Sequence, residues 1–151
     1  MKQIKTLYLL MSFLMLSLIS CQDSVTIADT NVELEKRNWS YSEKISIPVK
    51  IEAIDISYNL YLNLRHSARY KYSNIFIMIH ITGPDGKKVT ERREFKLALA
   101  DGEWLGSGSG NMYNYQINFK ENYKFPAKGT YIFELEQNMR DNPLDHISDV
   151  D

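Results

Sequence analysis

In the stretch Asn74–Thr82 every second residue is an isoleucine, at positions 75, 77, 79 and 81, with Phe76, Met78 and His80 between them. A strand sends alternate side chains to opposite faces, and β-branched residues lose rotamer freedom in a helix. The stretch therefore reads as a central strand with its isoleucine face fully inside and its second face apolar enough to be covered as well. Burying four isoleucines contributes a gross ~6–12 kcal/mol before chain entropy is subtracted. A chain with such a strand needs partners on both sides of it, and the flanking sequence offers them.

Gly83, Pro84, Asp85 and Gly86 form a turn signature, in which glycine supplies positive φ and proline fixes its own. Val89, Glu91, Arg93, Phe95 and Leu97 return from it, so the pair is expected as a hairpin. Upstream, Ile45, Ile47, Val49 and Ile51 alternate with polar residues, and Pro48, lacking an N–H, marks that strand as an edge or bulged one. Ile56, Tyr58, Leu60, Leu62 and Leu64 repeat the pattern, as do Tyr113, Tyr115, Ile117 and Phe119, and then Tyr131, Phe133 and Leu135. With no convincing amphipathic helix, the expected fold is all-β, an antiparallel β-sandwich of about seven to eight strands. Residues 138–151 read as a turn at Asn142 and Pro143 followed by one helical turn or an irregular segment carrying Leu144, Ile147 and Val150.

Ahead of this domain stand Lys2 and Lys5, an apolar run over residues 7–19, and the chain's single cysteine, Cys21. A positive start, a short apolar core and small residues before the cleavage point make a secretory signal, and the run is shorter than the roughly 20 residues a membrane span needs. The cysteine directly after it marks the signal as the bacterial lipoprotein type. The expected organisation is a lipoprotein signal peptide over 1–20, cleaved to leave acylated Cys21, a flexible tether over 21–30, and a sandwich domain over 31–151. Two or more acyl chains hold such a protein stably to a membrane. Loss of the signal takes the basic count from 18 to 16 against 19 acidic residues, a net −3, with no basic stripe, so nucleic acid is not an expected partner.

Chemistry is harder to place. His66, His80 and His146 are isolated from one another and from Cys21, unlike the clustered ligands of a zinc site, and Asp141, Asn142, Asp145 and Asp149 lack the spacing of a calcium loop. Asp101 and Glu103 read as solvated loop charges, and Ser107 and Ser109 lack a nucleophile elbow. No catalytic residue, metal site, cofactor or small-molecule substrate is expected, apart from the lipid on Cys21. The glycine-rich segment 98–111 holds Trp104, which can either cap the sandwich or, with Tyr61, Tyr70, Tyr72 and Tyr115, present an aromatic contact surface for a protein or a sugar.

Several words in the sequence resemble one family, the gliding-motility lipoprotein GldH of the Bacteroidetes. They are Trp39, Y-L-N-L-R over 61–65, Y-K-Y-S-N-I over 70–75, D-G-E-W-L-G-S-G over 101–108, and E-Q-N-M-R over 136–140, followed by Leu144, Ile147, Asp149 and Val150. The resemblance implies a cell-envelope lipoprotein that supports the gliding machinery and its linked secretion system, with no catalytic activity assigned; the expected role is non-enzymatic, by binding other envelope proteins. A surface glycan-binding module is the alternative. Gln22 lacks the aspartate that resembles an inner-membrane retention signal in enteric bacteria, but sorting in this phylum follows other cues; the outer membrane is expected ahead of the inner. The family pattern runs on past the position where this chain ends in D-V-D, so a terminal strand is in doubt and an uncovered sandwich edge is expected.

Overall fold

A computed structural model describes residues 26–28, 30, 32–108 and 110–151. The signal peptide, Cys21 and most of the tether lie outside the described residues. Two four-stranded antiparallel sheets make the fold. The first is built from β3 (Ile45–Ile51), β8 (Gly129–Gln137), β5 (Asn74–Thr82) and β6 (Lys88–Lys96), in that order. The second runs β1 (Val32–Glu33), β10 (Ile147–Val150), β4 (Tyr58–Ser67) and β7 (Met112–Tyr123). A two-stranded clip, β2 (Asn38–Trp39) with β9 (Leu144–Asp145), joins the chain's two ends. Among the described residues the core runs from Leu34 to Val150.

The isoleucine strand takes the place its pattern demands. β5 lies between β8 and β6, and Ile75, Ile77, Ile79 and Ile81 are all buried. Its second face differs from the expectation of a strand covered twice: among the described residues no further sheet packs there, and Phe76 and Met78 are half-buried. Long side chains shield it instead. The Arg92 guanidinium lies 3.9 Å from the Phe76 ring centre, and His80 Nδ1 sits 2.8 Å from the Thr90 hydroxyl. The turn after β5 closes through Gly83 N–H to the Lys87 carbonyl at 2.9 Å, so the hairpin stands as read. Among the described residues β3 has β8 as its only strand neighbour, consistent with Pro48 at an edge.

On β6 the inward phase is apolar only at its end. Phe95 is buried while Val89 is exposed. Between them, Glu91 pairs with Lys120, and Arg93 Nη2 donates to the Phe119 carbonyl at 3.2 Å, so polar contacts tie this edge to β7 of the facing sheet. Inward-pointing charge on an edge strand is a known guard against unwanted pairing.

The tail corrects the sequence reading most. Residues 144–150 form strands, not a helical turn. His146, at φ 72°, turns β9 into β10, and β10 inserts between β1 and β4 with Ile147 and Val150 buried. The terminal strand is therefore present and paired on both sides.

Candidate interaction surface

Residues 98–108 are folded rather than loose. Leu105 N–H bonds the Leu97 carbonyl at 2.9 Å, and Ser107 and Asn114 exchange backbone bonds at 2.9 and 2.7 Å. Gly106 is required by closeness: a Cβ there would stand 2.5 Å from Tyr115 Cε2 and 2.9 Å from the Asn114 carbonyl oxygen. The segment brings Trp104 back over the end of the sandwich, where it is half-buried.

Beneath Trp104 lies a feature the sequence concealed. His66, on the inward face of β4, is fully buried and ringed by Trp104, Tyr70, Tyr115 and Tyr113 at centroid distances of 4.5, 5.1, 5.2 and 5.8 Å. Its Nδ1 is 2.9 Å from the Ser67 carbonyl, which can only accept, so Nδ1 carries the proton. Nε2 lies 3.1 Å from the Tyr115 hydroxyl, whose single proton goes either to it or to the Leu97 carbonyl at 2.8 Å. Burial holds the His66 pKa below its ordinary value, with the Ser67 carbonyl opposing, and burial likewise raises the phenols of Tyr70 and Tyr115. The available signal was the period of two from Leu62 and Leu64 to His66, which put this histidine inside.

The aromatic residues proposed for contact thus separate. Tyr61 is exposed at 45%. Tyr72 is half-buried against Tyr70 in an edge-on contact at 5.8 Å. Tyr115 is buried at 8% with its hydroxyl engaged internally, which removes it from any exposed platform. Trp104 touches three rings and so serves the cap. Among the described residues no group of His, Cys, Asp or Glu is arranged to hold a metal.

At the other end of β4 the two sheets part around an apolar groove of about 840 Å³, with Tyr61 and Ile56 on its rim. Its volume falls in the range of roughly 300–1,000 Å³ typical of ligand pockets. No helix among the described residues is long and apolar enough to cross a membrane.

Fold and surface together define a small all-β sandwich with a folded aromatic cap and an open apolar side. The chain belongs to the GldH lipoprotein family, whose model matches residues 26–150. It is similar to a gliding motility lipoprotein GldH homolog of Christiangramia forsetii, 38% identical over 85 residues, which is 56% of this chain and 52% of the relative. It is also similar to the gliding motility lipoprotein GldH of Flavobacterium johnsoniae, 27% identical over 104 residues, 69% of this chain and 64% of the relative. The matched stretches thus span between half and two thirds of those relatives. No solved structure matches the chain.

Proposed function

We propose that this chain is a membrane-anchored, non-enzymatic envelope lipoprotein that serves gliding motility, and the protein secretion linked to it, by holding other envelope proteins. The observation that best supports the reading is the extent of the family match, which runs from residue 26 to residue 150. The shared features therefore belong to the sandwich as a unit rather than to one loop. Acyl chains on Cys21 anchor the domain, the outer membrane being the expected site, and the sandwich presents its surface to partners.

Crosslinking in intact cells followed by capture of the tagged protein tests the binding role, with a gliding or secretion component expected among the products. Capture that returns none of them removes it. Fractionation with protease shaving of whole cells tests the location. A glycan-binding role has lost its strongest platform now that Trp104 packs into the cap, leaving Tyr61 as its exposed ring.

A further inference from the structure

The two sheets differ in what they show to solvent. On the outer face of the first, charges pair across strands, Lys44 with Glu136 at 3.0 Å and Lys88 with Glu134 at 2.5 Å. The outer face of the second is built from amides. Leu62 and Leu64 are buried, so Tyr61, Asn63 and Arg65 of β4 point outward, and opposite them on β7 stand Asn118, Gln116 and Asn114. Asparagine is depleted in strands, so its repeated use in mid-strand calls for a reason. Asn118 has a local one, its Nδ2 lying 3.4 Å from Glu121 Oε1. Gln116 makes no side-chain hydrogen bond among the described residues, and Asn114 uses only its Nδ2, on the Ser107 carbonyl at 3.3 Å.

Asn63, Arg65, Asn114 and Gln116 line one shallow depression of about 300 Å³, bounded by Asp149 of β10 on one side and Ser107 on the other. Asp149, Arg65, Asn114 and Ser107 form a single cross-strand row. Its two charges face each other, with Arg65 Nη1 3.7 Å from Asp149 Oδ2, and Asp151 adds a carboxylate beside Asn63. An anionic ligand therefore finds no unpaired cation here. An extended peptide finds no strand edge to join, because β4 is paired with β10 and with β7 along this row. What fits is an uncharged ligand dense in groups that both donate and accept, as carboxamides themselves do. Sugar hydroxyls have that property, and the apolar face of a sugar ring suits Tyr61, which is exposed at the end of the same outward run of β4.

We propose that the depression on the outer face of β4 and β7 binds a neutral glycan, with Asn63, Asn114 and Gln116 bonding its hydroxyls and the Tyr61 ring stacking on one sugar. At about 3.3 Å per residue the run from Tyr61 to Arg65 is about 13 Å long, enough for a short oligosaccharide. This goes beyond the protein-holding role and does not depend on it.

The test uses the chain after residue 20 with Cys21→Ala, which keeps every core residue among the described ones. Immobilised neutral tetrasaccharides of glucose, mannose, galactose and N-acetylglucosamine are screened by interferometry, and the tightest binder is titrated by nuclear magnetic resonance. Saturable binding is expected, with the side-chain amide signals of Asn63, Asn114 and Gln116 shifting, and it should persist from about 0.05 M to about 0.5 M salt because no net charge is used. Tyr61→Ala should weaken it about tenfold and Gln116→Ala about three- to tenfold, while Tyr61→Phe keeps the ring and the binding. Both positions are exposed, so melting should stay as in the parent. Ile132→Ala, on the outer face of the opposite sheet, should leave binding unchanged.

No saturable binding of any tetrasaccharide, or binding that survives both Tyr61→Ala and Gln116→Ala, overturns the proposal. So does a galacturonic acid tetramer that binds more tightly than every neutral one and is released by salt, which would make Arg65 an anion contact. Loss of a crosslinked envelope protein from the two variants, with no glycan bound by the parent, would make the face a protein interface instead. Glycan binding with no envelope protein captured would keep the site and remove the protein-holding role.

Discussion

His66 sits where charging it is costly, since four aromatic rings replace water around it. Burial lowers its folded pKa, so between that value and the unfolded value of about 6.5 the unfolded chain binds more protons. Its contribution to stability is thus fully present above about pH 6.5 and is lost as pH falls through the lowered folded value. His66→Gln should cost about 1–3 kcal/mol at pH 8 by disturbing the Ser67 and Tyr115 contacts. The gap in melting temperature between wild type and variant should narrow between pH 8 and pH 5, and a constant gap would show that His66 does not titrate differently on folding. Gly106→Ala tests the same cap sterically: its Cβ meets the Tyr115 ring at 2.5 Å, and a loss of about 1–3 kcal/mol in denaturant melts is expected from overpacking. Neither residue announced itself in the sequence. A lone histidine has no chemical signature until the rings around it are known, and Gly106 resembles the other glycines of its segment, although Gly102 and Gly110 have positive φ and open space.

Strands were legible where one face is buried over a long run and obscure where they are short. β5 and β8 show the first case. Ile77 is fully buried in the middle of β5, whereas Ile132, also β-branched and in mid-strand, is on the outer face of β8 at 40% exposure. Ile77→Ala should therefore cost about 2–5 kcal/mol through the lost transfer energy and the cavity, while Ile132→Ala should stay within about 0.5–1 kcal/mol, the range of surface changes and β propensity. Urea unfolding of the two variants checks the contrast, and similar losses would mean that the inner and outer faces have been exchanged. The tail shows the second case. β9 has two residues and β10 four, too few alternations for a period to emerge, and their partners, Trp39 and the Leu64 to His66 stretch, lie far upstream in the chain. On β6 the period was visible but its meaning was not, because Glu91 and Arg93 point inward to reach β7 rather than solvent.

The proposed lipoprotein reading gives anchor and sandwich separate duties, and this separation can be measured. Among the described residues the core runs from Leu34 to Val150, and the ends of that domain are clipped by β2 with β9 and β1 with β10. On this reading the folding free energy does not depend on the cysteine, whereas membrane affinity would come from its acyl chains at about 0.8 kcal/mol for each buried methylene. Cys21→Ala should leave the melting temperature of the domain within the range of about 0.5 kcal/mol expected for a change outside the core, yet move the protein out of the membrane pellet when the cleaved forms are compared. Gliding assays on cells making only the soluble form then read the anchor's part in the function. If the sandwich acts by holding partners at the membrane, motility should fall although the fold is intact. Wild-type motility from a fully soluble form would mean that the sandwich works without being tethered.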